Sequence, residues 1–195
     1  MQAMSYSQVT KNALAHSLKK LMLTKPLHKI TIQQLTDDCG VTRHTFYNHF
    51  QDIYELLGWV YQTEIIEDLE QYRNCAGWKQ GFLSVLYYTQ NNKTICLNTF
   101  HSLGREHLES FLYGVIYGVV IQVVEELDAR EPERADVQAK QEIADFYTLA
   151  ILGQVIHWLK AGADSDPAWI VAKVARIMDG SISRGLANYL TPSYK

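Results

Sequence analysis

Cysteine is scarce in this chain, with Cys39, Cys75 and Cys96 the only three in 195 residues. Their odd count and lack of close pairing argue against a disulfide framework and against a zinc site. Thiols left free suit a reducing compartment, so a cytoplasmic protein is expected. No N-terminal stretch joins basic residues to an apolar core and a cleavage site, and no apolar run is read as membrane-spanning. The longest candidate, Phe111 to Val124, is interrupted by two glycines and a glutamine and reads as a buried helix. Also missing are a nucleophile elbow, a phosphate loop and a carboxylate pair of telling spacing. His101 and His107 stand six apart, off a common helical face, with no third ligand at metal spacing. No enzyme, cofactor or bound metal is expected, and there is no internal repeat or low-complexity tract.

What is present is an ordinary soluble composition, 47% apolar and 20% charged, enough for a sizeable core in one domain or two small ones. The net charge of −3 hides an asymmetry. Residues 1–50 hold six Lys/Arg against two acids, and the remaining 145 hold twelve against nineteen. A basic head on an acidic body fits a head that meets phosphate; chance clustering of solvated charges is the competing reading.

The head carries the most informative stretch, Lys29 to Phe50. Thr31 can cap a helix that sets Ile32, Leu35 and Cys39 on one face. Gly40 suits the turn that follows. Thr42 can cap a second helix that buries Val41, Phe46 and Phe50, leaving Arg43, His44, Thr45, Tyr47, Asn48 and His49 on the other side with no acid among them. A short helix with an apolar back and a donor-rich front suits the DNA major groove, as in a helix-turn-helix. Arg43 can contact a guanine edge bidentately or merely neutralise phosphate, and His44 can read an edge or a phosphate. Thr31, Thr45, Tyr47 and His49 read as phosphate anchors, and Asn48 either reads adenine or faces solvent. With Thr42 at the helix start, these eight residues are the candidate DNA-binding set.

The run Cys39-Gly40-Val41-Thr42-Arg43-His44-Thr45-Phe46-Tyr47-Asn48-His49-Phe50 resembles the signature of TetR-family transcription regulators, and the likeness covers roughly residues 8 to 60. Cys39 and Thr36 stand where that family usually has Ala. Ile53 stands where it often has a Lys that touches a DNA phosphate, which puts that contact in question. A weaker likeness to the dihydroxyacetone-kinase activator branch lies in Phe46 to Phe50, Glu55-Leu56-Leu57 and Gly77-Trp78. Members of that branch can take their signal from a protein co-activator.

Along the chain, residues 5–24 read as a first helix with Val9, Ala13, Leu14, Leu18, Leu21 and Met22 inward and Lys11, Lys19 and Lys20 in solvent, ending before Pro26. Asp52 and Glu55 have reciprocal-cap spacing for a helix running through Leu69, a lever between head and body. Further helices are expected over Trp78 to Gln90, Thr94 to His101, Glu106 to Leu127 and Val137 to Ala161, with a charged loop over 128–136. A last helix starts at Asp166-Pro167 and carries its stripe on to Leu186. Gly114 and Gly118, four apart, either permit close backbone approach or pair by chance.

The expected fold is all-α and TetR-like, with a three-helix helix-turn-helix head over 1–51 and a helical effector-binding and dimerisation bundle over 52–195. The resemblance implies a pocket in the middle helices, with Tyr87, Tyr88, Phe100, Phe111, Tyr113, Tyr117, Phe146 and Trp158 as candidates for pocket or packing. It also implies a four-helix homodimer interface from the last two helices, with Tyr147, Ile151, Val155, Ile170, Val174, Ile177 and Met178 as candidates for interface or core. The expected function is a homodimeric regulator on a palindromic operator, its DNA affinity set by a small effector or a protein co-regulator. The competing class is a helical ligand-binding or docking module that has lost DNA binding.

Overall fold

The computed structural model describes residues 6–102 and 105–190, with only the backbone described at 105–107. Its elements are α1 (Tyr6–Met22), α2 (Ile32–Cys39), α3 (Arg43–Tyr47), α4 (Ile53–Tyr61), α5 (Trp78–Asn91), α6 (Lys93–His101), α7 (Arg105–Asp128), α8 (Val137–Lys160), α9 (Pro167–Met178) and α10 (Ser181–Leu190). No strand occurs among the described residues. The helices gather into two compact units: one runs to Glu64 and takes in Asn92–Leu108, and the other holds Ile65–Asn91 and everything from Glu109 onward. The unit boundary thus falls past the expected limit at residue 51, and the head includes a helix from later in the chain.

In the head, α1 buries Leu14, Leu18 and Met22, which with Leu35, Phe46, Phe50, Leu56 and Val60 form its apolar centre. Val9, expected on that stripe, is 52% exposed. The buried Ser17 hydroxyl donates to the Leu35 carbonyl at 3.2 Å, tying α1 to α2. The α6 contribution is polar. Asn98 donates to the Met22 and Lys25 carbonyls at 2.8 and 2.6 Å and accepts the Leu27 N–H at 2.8 Å. One amide therefore satisfies three backbone groups left over where α1 ends ahead of Pro26. The Tyr61 hydroxyl meets Thr99 at 2.9 Å, and burial pushes that phenol well above the ordinary tyrosine range.

The helix expected to run unbroken from Asp52 through Leu69 is three segments. Asp52 caps α4, accepting the Glu55 N–H at 2.8 Å, while the Glu55 carboxylate takes the Gln51 N–H rather than closing a reciprocal box. After Tyr61 the winding loosens to a π-helical stretch, Gln62–Ile66, and then tightens to a 3₁₀ stretch, Glu67–Tyr72.

The second unit is built on the longest helices. α7 and α8 contribute Val120, Val123, Val124, Ala139, Ile143, Ala144 and Ile151 to a cluster that Val174, Ile182 and Leu186 complete. By length and mean hydropathy, Leu108–Asp128 could cross a membrane, despite its glycines; in this fold its apolar side joins the core and a cavity wall. The charged loop after α7 is tied down: buried Asp128 accepts the Ala135 N–H at 2.9 Å, its carbonyl accepts from Arg134, and Lys140 pairs with Glu125 at 2.8 Å. Asp166 and Pro167 start α9 as expected, but the helix does not continue to Leu186. It stops at Met178, Gly180 adopts φ +64°, and α10 begins at Ser181. A left-handed residue cannot sit inside a right-handed helix, and glycine takes it without the Cβ penalty.

Candidate nucleic-acid interface and body cavity

The helix-turn-helix is assembled by local side-chain hydrogen bonds. The Thr31 hydroxyl accepts the Gln34 N–H and the Gln34 side chain accepts the Thr31 N–H, each at 3.2 Å, a full capping box for α2. Thr36 and Cys39 turn their polar atoms back onto carbonyls of their own helix, at 3.0 Å to Ile32 and 3.1 Å to Leu35, so neither disturbs the packing around them. Gly40 closes α2 with φ +69°. Thr42 caps α3 by accepting the Thr45 N–H at 3.1 Å, and the two hydroxyls meet at 2.9 Å. Phe46 is fully buried, with the Tyr47 ring edge-on to it at 5.6 Å and Phe50 tilted against it at 6.0 Å.

This arrangement leaves the expected front of α3 in solvent. Thr31, Thr42, Arg43, His44 and Asn48 are exposed, Tyr47 is 50% exposed, and Thr45 and His49 are half-buried. The side chains of Arg43, His44, Tyr47 and Asn48 make no hydrogen bond or ion pair among the described residues. Nearby lysines differ in how free they are. Lys19 is held by Glu64 at 2.7 Å and Lys20 by Asp38 at 2.5 Å, and the Lys20 contact holds the Asp38 carboxyl below its ordinary range. Lys11 lies over the Phe50 ring at 5.8 Å. Ile53 is half-buried at the start of α4.

The second unit contains a cavity of about 360 Å³. One side of α7 lines it, through Leu112, Val115, Ile116, Val119, Val120, Val123 and Leu127. Leu69, Tyr72, Cys75, Trp78, Phe82 and Val85 face them from 69–85, and Ile151, Val155, Met178 and Ile182 complete the apolar wall. Cys75 is fixed by its own N–H, which donates to Glu126 at 2.7 Å, and its thiol reaches the Val123 carbonyl at 3.8 Å. Burial, and then the Glu126 carboxylate, push that thiol up to about 11, so near neutral pH it is mainly protonated and reacts slowly as a nucleophile.

None of the eight aromatic pocket candidates lines this cavity. Phe100 belongs to the head unit, beside His101 at 5.2 Å. Tyr113 and Tyr117 stack at 5.8 Å, with the Tyr113 hydroxyl donating to Asp145 at 2.6 Å. Trp158 is buried, its indole N–H on the Ser165 carbonyl at 3.1 Å. Tyr87 and Phe146 are exposed, and Tyr88 and Phe111 are half-buried outside the wall. The walls are mainly aliphatic, with Tyr72, Trp78 and Phe82 their aromatic members, and the signal for the α7 side was the 3–4 spacing from Leu112 to Leu127.

The interface candidates fall mostly on the wrong face. Ile151, Val155, Ile170 and Val174 are buried within the chain, Met178 lines the cavity, and Tyr147 packs on the core. Only Ile177 among the seven is exposed, at 68%. Beyond Val137 at the start of α8, the large apolar residues that α8 and α9 leave in solvent are Phe146, Leu149, Trp169 and Ile177. Both sets recur at helical spacing, so periodicity identified amphipathic helices without saying which stripe meets the core.

Comparison with known proteins bears on the same residues. Residues 77–180 match the TetR-type family model described as a transcriptional regulator C-terminal region. DhaS of Lactococcus lactis, a helix-turn-helix activator of the dhaKLM operon, is 30% identical over 90 residues, 46% of this chain and 48% of that protein. The chain therefore matches about half the length of this curated relative. Among solved structures, a dihydroxyacetone kinase operon activator DhaS shares the fold at TM-score 0.69 and 21% identity, over 90% of this chain and 97% of the other. A TetR-family repressor, FadR of Thermus thermophilus in complex with lauroyl-CoA, aligns at 0.62 and 13%, over 86% and 92%. NalD, the secondary repressor of a Pseudomonas aeruginosa multidrug efflux pump, aligns at 0.58 and 17%, over 92% and 98%.

Proposed function

This chain belongs to the TetR family of DNA-binding transcriptional regulators, and we propose that it acts as a homodimer whose two α3 helices enter successive major grooves of a two-fold symmetric operator. One observation carries the reading: Arg43, His44, Tyr47 and Asn48 stand in solvent on an α3 held from behind by buried Phe46, and no carboxylate occupies them. Arg43 reads a base edge, Tyr47 and the threonine hydroxyls fix the backbone register, and the readers sit about 34–36 Å apart, one turn of DNA. The second copy docks on the outward stripe of α8 and α9, through Phe146, Leu149, Trp169 and Ile177. An occupant of the body cavity, or a protein co-regulator, changes operator affinity by favouring one of two states. The setting is the cytoplasm, where DNA is reached. The reading commits to binding and not to its sign, since the relatives named above include an activator and repressors.

The test begins with sheared genomic DNA retained by the purified protein. A recurrent two-fold sequence is expected, and its affinity should fall steeply with salt, because each neutralised phosphate releases a counterion. Retention with no recurrent sequence, or none at all, would leave the docking-module class, for which Ile53 at the start of α4 is the supporting observation.

A further inference from the structure

Granting the reading that the body cavity holds the regulatory occupant, we infer that this occupant is a mainly aliphatic molecule of about a dozen heavy atoms with an uncharged polar end, and not a polyol or a phosphorylated sugar. Size sets the first limit. A cavity of about 360 Å³, at the roughly 30 Å³ that a water-sized atom occupies, holds about twelve such atoms. The wall sets the second. Away from its solvent-reaching edge its side-chain polar groups are the ring donors of Tyr72 and Trp78, the half-buried Ser183 hydroxyl and a Cys75 thiol already directed to the Val123 carbonyl. Three such donors can orient one polar end. They cannot serve a molecule with an oxygen on every carbon, each of which would lose water for nothing at about 1–3 kcal/mol.

Charge sets the third limit. The only Lys, Arg, His, Asp or Glu among the lining residues are Lys79 and Asp179, both exposed and of opposite sign. A charged group carried inward would meet no counter-charge, and a buried unpaired charge costs far more than an unpaired dipole. A charged group left at the edge would be attracted by one of the two and repelled by the other. An alcohol or ester end avoids both penalties, and its aliphatic body meets valine, leucine and isoleucine.

Cys75 provides the readout, with Cys39, in the head, as internal control. The full-length protein is treated at mildly alkaline pH, where a usable fraction of each thiol is ionised, with N-ethylmaleimide alone and with 1-decanol, decanoate or glycerol, and the rate at which each cysteine is modified is followed by mass spectrometry. At about ten times its dissociation constant, 1-decanol should slow Cys75 modification about tenfold and leave Cys39 unchanged. Glycerol should protect neither, and decanoate should protect Cys75 less than 1-decanol does. Protection by glycerol, or none by 1-decanol, would overturn the inference; stronger protection by decanoate would overturn its uncharged end. Ile116→Trp fills the cavity and should abolish protection. Should that variant not fold, the comparison of the three probes on the native chain decides alone. Protection by 1-decanol with no change in operator affinity would support the ligand class while removing the cavity from the regulatory scheme.

Discussion

Arg43 and Tyr47 are four residues apart on a helix of five, yet they should fail differently when truncated. Arg43 is unpaired and exposed at the first position of α3, where a guanidinium can meet a base edge. Arg43→Ala should relax preference at one base position of each half-site, by about 1–3 kcal/mol. Tyr47 offers one hydroxyl from a ring braced on Phe46, which suits a phosphate. Tyr47→Ala should weaken all sequences alike and make the salt slope shallower. Binding to a randomised half-site library separates the two; an unchanged preference profile for Arg43→Ala would remove the base contact. Glycines separate as sharply. An alanine Cβ at Gly40 would touch nothing within 4 Å, but φ there is +69°, so Gly40→Ala should destabilise the head by roughly 1–2 kcal/mol. Gly114 is exposed inside α7 with nothing near it and ordinary helical φ, so Gly114→Ala should stabilise by about 0.5–1 kcal/mol. Thermal melts of the two variants should shift in opposite directions. Gly114 and Gly118 stand four apart in the sequence, but of the two only Gly118 has a visitor, the Arg73 guanidinium, 3.5 Å from where a Cβ would lie.

At the scale of elements, helix starts were legible because their causes are local. Thr31, Thr42, Asp52 and Asp166 all cap the helices they were expected to cap. What local pattern could not reveal was a change of winding: nothing in Gln62 to Tyr72 forbids α-helix, yet the chain passes through π and 3₁₀ turns there. Gly180 was a readable stop, overridden by an apolar stripe that continues at helical spacing on both sides of it. The same limit misassigned the outer faces of α8 and α9, because both stripes of each helix are apolar. Two substitutions on α9 test the revised assignment. Ile177→Glu places a charge at a 68% exposed position and should convert dimer to monomer while leaving each chain folded. Ile170→Ala removes a buried side chain and should cost about 2–5 kcal/mol of fold stability, whatever the oligomeric state. Light scattering after size exclusion, paired with urea melts, reads both. A dimer that survives Ile177→Glu at the same concentration would move the interface elsewhere.

At the scale of the molecule, the all-α class was legible from period, and the basic balance of residues 1–50 from composition. The membership of the head was not: Asn98 reaches the end of α1 across more than seventy residues, and a contact of that span leaves no mark in a local window. The exposed face of α3 was legible in the sequence and the cavity was not, for the same reason. A reader helix is recognised by what one short segment exposes, whereas a cavity is what several distant segments jointly fail to fill. Regulation belongs to this scale too, and it carries a quantitative constraint. If an occupant of the cavity changes operator affinity by some factor, the operator must change the occupant's affinity by the same factor, since both are one coupling free energy. Couplings of this kind usually run about 1–3 kcal/mol, roughly 5- to 150-fold. Operator affinity by anisotropy at saturating 1-decanol, and 1-decanol affinity by Cys75 protection with and without saturating operator, should therefore give equal ratios. Equal ratios above unity establish that cavity and reader draw on one two-state equilibrium. A ratio of one on both sides, with tight binding at each site, would mean that the two states differ in neither affinity, and the cavity would then have no part in setting DNA binding.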